Sequence, residues 1–136
     1  MTNTILDIAE SLARTAHAGQ TRKNGSPYIF HVEFVVEQVA GDKDAEVVAW
    51  LHDVLEDSDL TSIELRDAGI PKDLISAVEL LTKRRENTYG EYIEIVKKSE
   101  LAVKVKKADI IANLVDKPGN KQITKFSKAL ISLCSG

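Results

Sequence analysis

The stretch Leu51-His52-Asp53-Val54-Leu55-Glu56-Asp57 decides the fold and the site of this chain. Its apolar members, with Trp50 before them, follow helical spacing and belong in a core. The polar residues between them are therefore carried into or beside that core. Charge in such a place is costly unless it is paired or bound to a metal ion. The stretch predicts a helical segment that holds a half-buried polar site.

Helical periodicity continues along nearly the whole chain, and no stretch alternates convincingly with a period of two. Residues 101–105 are the weakest helical assignment. The sequence predicts an all-α fold, a single compact bundle of about seven or eight helices over residues 1–136. The predicted helices cover about residues 5–16, 31–40, 44–55, 62–68, 71–83, 88–98, 102–115 and 121–133.

Capping residues and breakers set the predicted helix ends. Thr2 or Asn3 is expected to cap the first helix, and Asp44 the third. Thr61 opens a Thr-Ser-Ile-Glu sequence that matches a capping box. Residues 19–28 are predicted to form a loop, and Lys117-Pro118-Gly119-Asn120 a turn.

Bulk properties fit an ordinary water-soluble domain. The 136 residues are 43% hydrophobic and 29% charged, and the net charge of −3 gives no reason to expect bulk nucleic-acid or anionic-membrane binding. No apolar run approaches the roughly 20 residues that span a bilayer. The N-terminus does not resemble a signal peptide, and Cys134 is the only cysteine. The sequence predicts a cytoplasmic protein without an internal disulfide.

Four residues in apolar helical contexts are candidate metal ligands: His31, His52, Asp53 and Asp109. Imidazole nitrogens with carboxylate oxygens suit a divalent ion such as Mn²⁺, Fe²⁺, Co²⁺ or Zn²⁺. Adjacent residues point about 100° apart on a helix, so His52 and Asp53 reach one ion only near a helix crossing. Each residue alone is weak support, because a single buried histidine is more often a hydrogen-bonded core residue. The third histidine, His17, is expected to be structural.

Three ordered motifs resemble a known family. Residues 16–31, which include Gly19-Gln20-Thr21-Arg22-Lys23 and end in Pro27-Tyr28-Ile29-Phe30-His31, are similar to the opening motif of the hydrolase domain in RelA/SpoT proteins. Residues 51–58 resemble its His-Asp motif with the trailing acids, and residues 107–114 its closing Asp-Asn motif. The resemblance covers about residues 6–116. It places the chain in the HD superfamily, beside the small stand-alone hydrolases.

The resemblance implies an α-helical HD domain and one bound metal ion, preferably Mn²⁺, with Fe²⁺, Co²⁺ or Zn²⁺ as alternatives. The ligands would be His31, His52, Asp53 and Asp109. The substrate would be a small anionic nucleotide, guanosine tetra- or pentaphosphate (ppGpp or pppGpp), from which such enzymes release the 3′-pyrophosphate. The implied residues that activate and orient the attacking water are Glu56 and Asp57, and the implied nucleotide contacts are Arg22, Lys23 and Asn113.

Other interpretations of these residues stay open. Without the resemblance, Glu56 and Asp57 form a solvated acidic helix end, and Arg22 and Lys23 a solvated basic loop. Because Glu56 and Asp57 follow His52 and Asp53 by four, a continuous helix would place each acid on the side of a ligand. By default, Tyr89 and Tyr92 are expected to pack in the core with exposed hydroxyls, and Lys104, Lys106 and Lys107 to lie on a solvated face. The tyrosines could instead line a substrate pocket, and the lysines could help to hold phosphates.

Three departures from the family pattern leave the substrate open. Val32 follows the metal histidine where proline is usual, and Lys107 precedes Ala108 where leucine is common. Val115-Asp116 removes a basic residue after the Asp-Asn motif. The alternatives to alarmone hydrolysis are an HD phosphohydrolase of another nucleotide or phosphate ester, and a non-catalytic nucleotide- or protein-binding module.

Overall fold

Nine helices occupy the parts of the chain that the structure describes, residues 4–116 and 119–135 of a computed structural model. Within those ranges there is no strand, and an isolated bridge pairs Thr21 with Pro27. One helix is a single turn and the other eight are longer, which confirms the predicted all-α bundle. The helices are α1 (Ile5–Ala16), α2 (Tyr28–Gln38), α3 (Lys43–Leu51), α4 (Val54–Asp57), α5 (Ser62–Ala68), α6 (Lys72–Leu80), α7 (Tyr89–Val96), α8 (Glu100–Val115) and α9 (Asn120–Cys134).

Capping side chains explain where several helices begin. The predicted capping box at Thr61 is present, since Thr61 and Glu64 each accept a hydrogen bond from the other's backbone N–H. The first helix is capped by Thr4, whereas the predicted caps Thr2 and Asn3 lie outside the described residues. Asp42, not Asp44, caps α3, because its extended backbone lets its carboxylate accept the N–H of Ala45.

Several helix ends differ from the sequence prediction. Helix α2 starts at Tyr28 instead of about His31, since Pro27 immediately precedes it and limits only the residues before it. The uncertain residues 101–105 are helical, within α8. Of the predicted turn at 117–120, Lys117 and Pro118 lie outside the described residues, while Asn120 already begins α9.

Helix α3 is the centre of the bundle. It packs against α1, α2, α6 and α8, and six of the seven residues from Ala45 to Leu51 are buried, the exception being Glu46. Fully burying a large apolar side chain such as Leu51 contributes about 1.5–3 kcal/mol. The packing of α3 therefore fixes the position of the residues that follow it.

The helix ends at Leu51, and this corrects the prediction of a continuous helix to about residue 55. The N–H of His52 bonds the carbonyl of Ala49, three residues back, and Asp53 adopts φ −110° and ψ −2° before α4 begins. Periodicity could not reveal this break, because Val54 and Leu55 continue the apolar pattern. The break falls at His52 and Asp53, and the side chains of both residues reach one cluster.

None of the helices in the described ranges has the length and apolar character needed to cross a membrane.

Candidate metal centre

Four side chains from three parts of the bundle converge in the core. Helix α2 supplies His31, the junction of α3 and α4 supplies His52 and Asp53, and α8 supplies Asp109. One potential ligand atom from each lies within 4.8 Å of those of the other three. All four candidate ligands named from the sequence are therefore brought together.

A hydrogen bond fixes the ring of His52. Nδ1 of His52 lies 2.6 Å from the carbonyl oxygen of Ala49, so Nδ1 carries the proton in the neutral ring. The other nitrogen, Nε2, is buried without a hydrogen-bond partner, although it lies 2.9 Å from Asp53 Oδ2 and 3.4 Å from Asp109 Oδ1. A bare nitrogen lone pair facing two carboxylates is repulsive unless a cation is shared among them.

The carboxylates are held by neighbouring donors. The hydroxyl of Tyr28 donates to Asp53 Oδ2 at 2.5 Å. Burial opposes ionisation of Asp53, but His52 beside it and the Tyr28 hydroxyl bring its pKa down to about 2. Burial likewise opposes ionisation of Asp109, and Lys106 and His31 hold the pKa of Asp109 well below its ordinary value.

The arrangement fits a divalent metal ion. Burial disfavours a charged His52, yet Asp53 and Asp109 raise the pKa of this ring well above its ordinary value. The same negative charge that would draw a proton to His52 would draw a divalent cation. Nδ1 of His31 is also buried without a partner. Two imidazoles with two ionised carboxylates are a donor set typical of first-row transition metals.

Glu56 and Asp57 line the same cavity as His31, Asp53 and Asp109. Glu56 Oε1 accepts the backbone N–H of Lys83 at 2.8 Å, which anchors this carboxylate across the cavity. The carbonyl of Asp57 accepts the side-chain amide of Gln20 at 2.8 Å. Loss of hydration raises the pKa of both carboxyls, and the charge of Asp53 adds to the rise. A carboxylate with a raised pKa is a stronger proton acceptor.

The cavity measures about 310 Å³ and has cationic and aromatic residues opposite the acids. Lys83, Lys106 and Lys125 all line it. The ammonium of Lys125 lies 4.4 Å from the ring centroid of Tyr89. Such a lining can accept a molecule that carries both phosphate groups and a flat ring. The remaining aromatic residues of the lining are Tyr28, Tyr92 and Phe126.

The three predicted nucleotide contacts are placed differently. Asn113 lines the cavity, and its side-chain oxygen accepts the guanidinium of Arg22 at 2.9 Å. Arg22 lies 3.5 Å from Asp116 and lines a neighbouring hollow of about 150 Å³ that also borders His31. Lys23 is exposed and lies outside the cavity lining. Arg22 and Asn113 thus form one unit beside the site, and Lys23 is separate from it.

The residues for which the sequence predicts structural roles are placed differently: two line the cavity and one lies outside the ligand cluster. Tyr89 and Tyr92 both line the cavity, and both hydroxyls are buried, which corrects the expectation of core tyrosines with exposed hydroxyls. Tyr92 donates to the carbonyl of Leu81 at 2.6 Å. His17 is buried outside the ligand cluster, where its Nδ1 lies 2.8 Å from the side-chain oxygen of Gln20.

Lys106, Lys125 and Phe126 line the cavity but were not among the predicted site residues. Lys106 precedes Asp109 by three residues, and because this spacing is typical of ion pairs on a helix, the sequence could have indicated that the two residues pair. Lys125 and Phe126 lie in a helix whose neighbours no local pattern identifies.

Comparisons with known proteins identify relatives of this chain. No protein-family model matches the chain. It is 32% identical over 115 residues to a guanosine-3′,5′-bis(diphosphate) 3′-pyrophosphohydrolase of Haemophilus influenzae, over 80% of this chain and 17% of that protein. A protein of the same name from Aquifex aeolicus is 32% identical over 116 residues, 82% of this chain and 16% of that protein. The chain thus spans a small part of these relatives.

The fold is shared with a solved structure. A metazoan orthologue of SpoT, which hydrolyses ppGpp and plays a role in starvation responses, superposes with a TM-score of 0.81 at 24% identity. The superposition covers 100% of this chain and 88% of that one. The chain is a RelA/SpoT hydrolase-like HD protein.

Proposed function

We propose that this protein is a metal-dependent phosphohydrolase that removes the 3′-pyrophosphate from guanosine tetra- or pentaphosphate. The observation that carries the proposal is the convergence of four metal-ligating side chains, three of which line one cavity together with Glu56 and Asp57. The relatives named for this activity support the choice of substrate. The products would be GDP or GTP and pyrophosphate.

His31, His52, Asp53 and Asp109 would hold the ion, with Mn²⁺ as the preferred metal. Such an ion lowers the pKa of a water molecule and offsets charge on the phosphoryl oxygens. The hydrogen bond from His52 to the Ala49 carbonyl keeps Nε2 unprotonated, as a ligand nitrogen must be. The hydroxyl of Tyr28 orients Asp53 in the same way.

Glu56 and Asp57 would act on the attacking water. Glu56 is fixed through one oxygen by the Lys83 N–H, which leaves its other oxygen for the water. The raised pKa values favour proton acceptance by this pair, with one carboxylate taking the proton and the other fixing the direction of attack. Water attacks the phosphorus attached to the ribose 3′ oxygen, and the bond between them breaks.

The cations of the cavity would neutralise the rest of the substrate. Guanosine tetraphosphate carries two diphosphate groups, whereas the metal site adds several carboxylates to the cavity. Lys83, Lys106 and Lys125 offset that negative charge. The Arg22–Asn113 unit lies at the side of the cavity, where Asn113 could contact the nucleoside.

The test is pyrophosphate and phosphate release by the purified protein with Mn²⁺, against guanosine tetraphosphate and a panel of nucleotides and phosphate esters. We expect pyrophosphate release from the tetraphosphate, its loss with a chelator, and its return with Mn²⁺. Turnover of other phosphates alone would assign the second function named from the sequence. Metal binding without turnover of any compound would contradict an enzymatic role.

A further inference from the structure

Lys106 is a largely buried cation in the lining of the cavity. Its side chain is 11% exposed, and its ammonium lies 5.0 Å from the ring centroid of Tyr92 and 5.8 Å from that of Tyr89. Burial of an ammonium is expensive unless strong partners compensate. On α8 its neighbour Lys104 instead reaches the surface and pairs with Asp42 at 2.9 Å. Lys106 therefore differs from the solvated lysine that the sequence predicted.

The two carboxylate oxygens of Asp109 contact different partners. Oδ1 faces the histidines, 2.8 Å from His31 Nε2 and 3.4 Å from His52 Nε2. Oδ2 accepts the ammonium of Lys106 at 2.8 Å. Lys106 thus decides which carboxylate oxygen is left for the metal cluster.

The ammonium of Lys106 has donors to spare. An ammonium carries three N–H groups, and within the described residues its one hydrogen bond is to Asp109. Its other contacts are aromatic rings, which attract the charge but accept no strong hydrogen bond. The same ammonium borders the cavity together with Glu56 and Asp57. It is placed to meet an anion that lies between the ligands and the acid pair.

We propose that Lys106 binds a phosphoryl oxygen of the substrate at the metal centre, while its hydrogen bond to Oδ2 of Asp109 leaves Oδ1 facing the metal ligands. The proposal rests on the phosphohydrolase function given above and adds a residue to it. The group it recognises is a phosphate or pyrophosphate oxygen beside the bound metal. A fixed ammonium there contributes charge where the phosphoryl oxygens lie, without displacing the four ligands.

The test compares Lys106→Met with Lys104→Met, which removes a lysine from the same helix but from the surface pair with Asp42. Three quantities are measured: Mn²⁺ affinity, calorimetric affinity of the Mn²⁺-loaded protein for pyrophosphate, and kcat/KM. For Lys106→Met we expect pyrophosphate affinity to fall by about tenfold or more and kcat/KM by about a hundredfold. Mn²⁺ affinity should stay within about threefold or rise, since a neighbouring positive charge is removed. Lys104→Met should leave all three unchanged.

A second variant separates the positive charge of Lys106 from its hydrogen bond to Asp109. Lys106→Gln can still donate to Asp109 but carries no charge, and it also serves if the methionine variant does not fold. We expect it to lose pyrophosphate affinity as well. Wild-type pyrophosphate affinity in Lys106→Gln would overturn the proposal. So would a parallel loss of Mn²⁺ and pyrophosphate affinity in both variants, because Lys106 would then serve the ligands alone.

The outcome is separable from that of the proposed function. If the wild-type protein hydrolyses no guanosine polyphosphate but binds pyrophosphate through Lys106, the substrate assignment fails and the role of Lys106 stands. If hydrolysis occurs and the Lys106 variants match wild type, the function stands and this inference is overturned.

Discussion

The two walls of the cavity are built in different ways. The metal wall comes from α2, the α3–α4 junction and α8, and consists of His31, Asp53, Glu56, Asp57 and Asp109, with His52 behind it in the ligand cluster. The basic wall comes from the link after α6, from α7 and from α9, and consists of Lys83, Tyr89, Lys125 and Phe126. The metal wall is anchored in the most buried part of the bundle, and the basic wall lies nearer to solvent.

The charged groups of the two walls also differ in their hydrogen-bond and ion-pair partners. Asp53 accepts a hydrogen bond from the Tyr28 hydroxyl, and Asp109 accepts one from the Lys106 ammonium. Within the described residues, no carboxylate lies at ion-pair distance from Lys83 or Lys125. Burial and the nearby lysines Lys106 and Lys83 lower the pKa of Lys125. We therefore expect changes in the metal wall to reduce turnover and changes in the basic wall to weaken substrate binding.

The largest effect should follow removal of a metal ligand. His52→Ala deletes one of four donors and leaves Asp53 and Asp109 without a shared cation. We expect loss of stoichiometric Mn²⁺ binding in a calorimetric titration and a fall in turnover on the order of a thousandfold or more. Asp44→Asn, an exposed acid at the other end of α3, is the control and should behave as wild type. Retained turnover in a metal-free His52→Ala protein would refute the metal wall as the reacting site.

The acid pair should separate chemistry from metal binding. Glu56→Gln and Asp57→Asn keep side-chain shape but remove the proton acceptor. We expect each to lower kcat by about 10²–10⁴-fold with Mn²⁺ affinity retained, as measured by single-turnover kinetics and metal titration. Asp59→Asn removes an exposed acid two residues further on and should have no effect on kcat. Equal losses of metal and turnover would show that the acids are ligands instead.

The metal wall could be predicted from the sequence because its residues interrupt apolar helical stretches. His52 and Asp53 stand between Leu51 and Val54, both completely buried, so any helical bundle brings them to the core. The local geometry could not be predicted in the same way. At the break, both the backbone N–H and Nδ1 of His52 lie within hydrogen-bond distance of the Ala49 carbonyl, which periodicity does not register.

The basic wall could not be predicted because its parts are far apart in the chain. Lys83 follows α6, and Lys125 lies in the last helix, so only tertiary packing brings them to one cavity. An amphipathic helix was predicted over about residues 121–133, but spacing does not tell which neighbour it meets. Lys106 was assigned to a solvated face because lysines usually keep their ammonium in water.

A change in the basic wall should affect KM more than kcat. Lys125→Gln removes a cation from the cavity but touches none of the ligands. We expect KM for guanosine tetraphosphate to rise about three- to tenfold with kcat unchanged, which is the signature of lost uniform binding. Lys128→Gln, at an exposed position on the same helix, is the matched control. A fall in kcat with unchanged KM would place Lys125 in the chemistry and remove the distinction between the walls.

The smallest effect concerns Arg22, which belongs to neither wall. Its guanidinium is shared between Asn113 at 2.9 Å and Asp116 at 3.5 Å, and Asp116 occupies a region where the family usually has a basic residue. Asp116→Asn should leave the guanidinium charge of Arg22 less neutralised, so that Arg22 attracts an anionic substrate more strongly. Because an exposed ion pair contributes about 0.2–1 kcal/mol, we expect KM to fall by no more than about fivefold, with kcat unchanged.

The control for this prediction is Asp67→Asn, which removes an acid from a surface pair with Arg66 at 3.4 Å. It makes the same change of net charge away from the cavity, so it separates local release of Arg22 from a general charge effect. The difference between the two variants should shrink at high salt, since exposed charges are screened. A higher KM in Asp116→Asn would mean that Asp116 itself contacts the substrate. The acidic residue would then be a recognition element gained by this chain, and the anion-binding role would rest on the basic wall alone.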